Sequence, residues 1–199
     1  MRARTLCIPV AACLVLFFTL LQPSRARASM ASGHTPVYRI PLRVHLGSSD
    51  RPPADWLPIL REINFIWLSQ ADICFEIHTA GHDRILDSGL DLWFDATLPV
   101  WNGYYHHGHD MRVRDDPHLR PAGNPAQYSA ARTAAHELGH ALNLRHRQND
   151  DDNLMRSKTY GWRLHDDEVA VARQNAKSLA LPPSEAGHCT ITIHSESQT

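Results

Sequence analysis

His136 and His140 stand four residues apart, with Glu137 beside the first of them. On an α-helix this spacing puts both imidazoles on one face, within reach of one ion, and aims the carboxylate toward its open side. A third imidazole, His146, follows ten positions after His136, too far along to share the face of a straight helix. The chain must therefore stop and turn between His140 and His146. Asn143 is the natural place, because asparagine is second only to glycine in tolerating the left-handed backbone common at helix ends. Three neutral imidazoles leave a fourth position for water, which is the arrangement of a catalytic zinc and not of a closed structural one. His136, His140 and His146 would hold Zn²⁺, which polarises a carbonyl and acidifies water. Glu137 would take the water's proton and pass it on, first as base and then as acid.

These side chains need elements to hold them. An alanine-rich helix, capped by Ser129 and running through Leu142, would carry the first two histidines and the glutamate. Upstream, Val37 to Leu46 alternates apolar residues and reads as a strand despite Pro41. Asp55 is the expected cap of a helix whose Trp56, Ile59, Leu60, Ile63, Phe65, Ile66 and Trp67 follow helical spacing, with Pro58 harmless in its first turn. Ile73 to His78 and Leu90 to Phe94 read as short strands, and an edge strand is expected near Asp110 to Arg114, followed by a long loop. Asp166, Asp167 and Glu168 open a last helix through Leu179, acids at its positive end.

The run from His136 to His146, His-Glu-Leu-Gly-His-Ala-Leu-Asn-Leu-Arg-His, resembles the extended zinc-binding sequence of the metzincin metallopeptidases, with Asn143 in place of the usual glycine. Asn153-Leu154-Met155 resembles that family's Met-turn, and the nine positions from His146 to Met155 are closest to compact, matrixin-like members. The resemblance implies an α+β catalytic domain: a twisted mixed β-sheet, two long helices and a C-terminal helix. It also implies a zinc-dependent endopeptidase acting on protein or peptide substrates, with Met155 shaping the floor beneath the ligands. An extended peptide would lie antiparallel to an edge strand, for which Gly108 to Arg114 is the candidate, and Arg156 to Trp162 would line a pocket behind the zinc. Basic residues there hint at an acidic or polar preference. Tyr160 either assists the metal or packs as wall. No segment resembles the matrixin cysteine switch.

Two other readings use the same residues. In one, an acid supplies the third ligand, Asp150 to Asp152 or Glu168, and His146 is dispensable. In the other the protein is a non-catalytic secreted module that binds zinc. The cluster His106, His107 and His109 is either a solvated loop or a second, structural Zn²⁺ site, and Asp150 to Asp152 either faces water or binds Ca²⁺.

Twenty basic and 21 acidic side chains in 199 residues give a net charge of -1, too weak a field to gather nucleic acid. Fourteen histidines against two lysines, Lys158 and Lys177, place the titratable chemistry in imidazole. Residues 1–28 carry Arg2 and Arg4, an apolar run from Leu6 to Leu21, and Ala26-Arg27-Ala28, and read as a signal peptide. An uncleaved anchor or a lipoprotein box at Cys13 are the alternatives. Residues 29–199 then form a single catalytic domain that is secreted or periplasmic, with no stable membrane span and an oligomeric state the sequence leaves open. Cys74 and Cys189, the cysteines remaining in the mature chain, most simply form one disulfide in an oxidising compartment.

Overall fold

The structure is a computed structural model that describes residues 38–80, 89–106, 110–117, 119, 126–158, 161–182 and 189–193. All of these belong to the compact unit His34–Thr199. The expected signal peptide, Tyr160, His107, His109 and His118 lie outside the described residues.

The elements follow in the order β1 (Tyr38–Ser48), α1 (Trp56–Ala71), β2 (Ile73–Ala80), β3 (Leu90–Asp95), β4 (Gly103–His106), β5 (Asp110–Arg114), α2 (Ser129–Ala141), α3 (Asp166–Leu179) and β6 (Ile191–Thr192). The strands form one six-stranded mixed sheet in the order β4-β5-β3-β1-β2-β6. Every neighbouring pair is parallel except β4 with β5. The protein is thus α+β, with a mixed sheet and, among the described residues, three α-helices.

The central strands alternate apolar with polar residues, yet much of the polar set is buried too, including Arg43, His45, Asp91 and Asp95. Ile40, Leu42 and Val44 of β1 and Phe75 and Ile77 of β2 join Ile59, Ile63, Ile66 and Trp67 of α1 in a single core. Asn64, buried in that core, is satisfied on both sides: its amide donates to the Phe75 carbonyl at 2.9 Å and its oxygen accepts the Phe75 N–H at 2.8 Å. This locks α1 to β2, since an unpaired buried amide would be costly. Asp72 ends α1 with a left-handed φ of 53°.

Cys74 and Cys189 are bridged, with Cα atoms 5.8 Å apart, and the bond ties β6 to β2. The crosslink spans 115 residues, so the chain-entropy account assigns it about 4–5 kcal/mol. No helix among the described residues is long and apolar enough to cross a membrane.

Three expectations need correction. The segment ending at Arg114 is not the sheet edge: β5 lies between β3 and β4, and β4 takes the outer place. Tyr104, Tyr105 and His106 alternate between half-buried and exposed, as a strand with one wet face does, although their types read as a loop. Asp55 holds the N-cap position of α1, as expected, but makes no side-chain cap bond, and a short 3₁₀ turn, Pro53–Asp55, leads into the helix. Ser129 is the first residue of α2 and not its cap; that position belongs to Tyr128.

Candidate metal centre

Helix α2 is positioned by contacts from α1. Glu62, buried on α1, accepts the N–H groups of Gln127 and Tyr128 at 2.8 Å each and so fixes the entry to α2. Burial raises the Glu62 carboxyl pKa, while those two N–H groups and the Arg132 guanidinium oppose the rise. Five residues further along α1, the Trp67 indole N–H donates to the Ala135 carbonyl at 3.2 Å, immediately before His136.

The helix ends where the ligands require. Asn143 adopts φ 64°, the Asn143 N–H reaches the His140 carbonyl at 2.9 Å, and the Leu144 N–H reaches the Gly139 carbonyl at 2.8 Å. This is a Schellman closure with asparagine in the left-handed place. The reversal carries His146 back over the helix face, and the Arg147 N–H donates to the Met155 carbonyl at 2.9 Å, fastening the returning strand.

The three imidazoles converge. His146 Nε2 lies 3.2 Å from His136 Nε2 and 3.1 Å from His140 Nε2. With ligand bonds of about 2.0–2.1 Å, tetrahedral geometry separates two nitrogens by roughly 3.3 Å, so the spacing fits three corners around one ion. The donor chemistry agrees. His136 Nδ1 donates to the Leu154 carbonyl at 2.7 Å and His140 Nδ1 to the Leu144 carbonyl at 2.9 Å. A carbonyl can only accept, so these two neutral rings turn Nε2 lone pairs inward. Desolvation drives the His136 pKa down to about 3, and the neighbouring His140 and His146 rings push the same way against the Leu154 bond. His140 is likewise lowered, chiefly by burial. Converging lone pairs repel one another unless a cation lies among them, so the three histidines can hold a metal ion.

Glu137 is buried beside them, and desolvation pushes its carboxyl pKa up to about 8. Edge strand β4 passes close by: a methyl group added to Gly103 would stand 2.9 Å from Glu137 Oε1 and 2.8 Å from the Thr133 methyl. Met155 is fully buried against α2, where a side chain at Gly139 would fall on its Sδ and Cε atoms. Its loop is braced from α3. The Asn153 amide donates to Glu168 at 2.6 Å, while Asn153 Oδ1 accepts the Met155 N–H at 2.7 Å.

Those bonds also account for the acids considered as third ligands. Glu168 accepts from Arg147, Asn153 and the His165 N–H at the start of α3. Asp150 pairs with His165 at 2.9 Å and Asp151 with Arg156. Among the described residues, the histidine trio is the one group of three or more histidines, cysteines or acids arranged for a metal, and it includes none of these carboxylates. His106 does not belong to it either.

Two cavities open at the centre. One, about 460 Å³, lies beside His136 and is bounded by Trp101, Thr133, Ser157 and Lys158. The other, about 380 Å³, lies beside His140 and is bounded by Trp101, Tyr104 and Tyr105. Of the segment expected to line a pocket, Ser157 and Lys158 do so. Sequence reasoning missed Gly103, Trp101 and the Glu62 and Trp67 struts. Each acts on α2 from at least thirty residues away, and no local pattern marks it. Neither the protein-family models nor the curated proteins compared with this sequence match it.

Proposed function

We propose that this protein is a zinc-dependent endopeptidase of metzincin type, acting outside the cytoplasm. The observation that carries the reading is the convergence of three histidine nitrogens beside a buried carboxylate, at the meeting point of two open cavities. Three imidazoles of borderline softness suit zinc and leave a fourth corner free. The crosslink Cys74–Cys189 is compatible with an extracellular or periplasmic setting.

Zinc held there supplies Lewis acidity, which polarises a peptide carbonyl and acidifies water. The chain's own residues do the rest. Glu137, desolvated and so a stronger base than an ordinary carboxylate, takes a proton from the attacking water and delivers it to the departing amine. The Leu154 and Leu144 carbonyls hold the His136 and His140 rings with Nε2 turned inward. β4, at the sheet edge beside Glu137, offers main-chain groups to an extended peptide, which would lie antiparallel to it. The buried face of α2 and the Met155 side chain exclude water from below.

The test is metal analysis and peptide cleavage on the purified protein and on Glu137→Ala. The expected result is one zinc per chain in both, with cleavage confined to the wild type. A wild type that takes up no zinc, or a variant that cleaves equally well, overturns the reading.

A further inference from the structure

The two cavities share Trp101, Gly103, Glu137 and His146, so a bond positioned over those residues sends its flanking side chains one into each cavity. The cavities differ in chemistry. The one beside His140 adds Tyr104 and Tyr105, which give it flat aromatic walls. The one beside His136 adds Val100, Asn102, Leu119 and Thr133 with Ser157 and Lys158, which give it apolar surface together with a hydroxyl and an ammonium. Lys158 is one of two lysines in the chain and forms no ion pair among the described residues. Asp151, the acid next to this segment, is already paired with Arg156. Trp101 and Val100 are 65% and 71% exposed, unusual for large apolar side chains lying together.

Resting on the peptidase reading, we infer that the substrate carries an acidic side chain, best glutamate, on one side of the cleaved bond and an aromatic or apolar one on the other, with Lys158 selecting the first and Tyr104 and Tyr105 the second. A glutamate suits the first cavity because its methylenes can lie along Leu119 and the Thr133 methyl while its carboxylate meets Lys158 and Ser157. Glu137 belongs to both cavities and does not distinguish them, whereas Lys158 belongs to the first alone.

The experiment uses zinc-loaded protein and matched peptides with Glu, Gln or Lys at each position flanking the cleaved bond, read as kcat/KM for cleavage and, with Glu137→Gln protein, as equilibrium binding. At one position and not the other, Glu should exceed Gln by about threefold to tenfold and Lys should be worst, with the contrast shrinking as salt rises. Lys158→Glu should reverse the order and Lys158→Arg should keep it. Cleavage with no charge preference at either position, or an order that Lys158→Glu leaves unchanged, overturns the inference while the peptidase reading stands. Charge-ordered binding without cleavage overturns the peptidase reading and keeps the selecting role of Lys158, and the absence of both overturns each.

Discussion

Gly103 and Glu137 are in such close register that the strand leaves no room for a Cβ: a methyl on the glycine would come within 2.9 Å of the carboxylate. The edge strand and the Glu137 carboxylate are therefore one mechanical unit. Gly103→Ala should move the carboxylate while leaving the histidines in place. Zinc stoichiometry should stay at one and kcat should fall roughly tenfold to a hundredfold, because displacements of about 1 Å at a reacting centre cost on that order. Metal analysis together with steady-state kinetics decides it, and an unimpaired kcat would count against the placement.

The third ligand can be tested by removal. His146→Ala should weaken zinc affinity by more than the tenfold to hundredfold typical of losing a supporting hydrogen bond. Glu168→Gln should retain the metal and instead lower stability by about 1–3 kcal/mol, because it disturbs the bonds to Arg147 and Asn153. A competition titration against a chromophoric chelator separates the two.

At Asn143 the backbone conformation itself is at stake. With φ at 64°, Asn143→Gly should be neutral or slightly stabilising, and Asn143→Val should cost about 1–2 kcal/mol. The valine variant should also bind zinc more weakly, since the same turn aims His146. Thermal melts with and without metal would show both effects, and equal melting of the two variants would contradict the turn's role.

Acid should act on the metal-free protein through His136. Its folded pKa lies near 3, below its ordinary 6.5. Between those values the unfolded chain binds a proton that the folded chain refuses, so the His136 contribution is complete above about pH 6.5 and is lost as pH falls toward about 3, while the Glu137 carboxyl, raised from 4.5 to about 8, works in the opposite sense between its own two values. Zinc loading should hold the protein folded to lower pH until protons displace the ion. Denaturant midpoints of chelated and zinc-loaded Glu137→Gln protein, which lacks the opposing carboxyl, test this across that range, and a flat midpoint in the chelated variant would refute it.

Much of this arrangement could be read in the sequence, and the parts that could not share a cause. The apolar spacing of α1, the acidic start of α3 at Asp166 and the left-handed turn at Asn143 are local signals, and all three appear where the pattern placed them. The trio His136, His140 and His146 follows from helix geometry plus one turn, and it too comes together. Strand β4 was hidden because Tyr104-Tyr105-His106 is short and polar, and its pairing with β5 is a tertiary fact. β6 has two residues and depends on its neighbour at the Cys189 bridge. Ser129 looks like a cap, but α2 starts beside a carboxylate from α1, and no pattern within α2 announces Glu62.

The turn at Asn143 has a consequence for the order of assembly. All three nitrogen donors come from an eleven-residue stretch closed by a single helix stop. Gathering them costs little chain entropy, since short closures are the least demanding. Chelation can then begin on one helix and its return loop before the distant strands have met, so an ion captured during folding would act as an early seed for the chain and not merely as a late passenger.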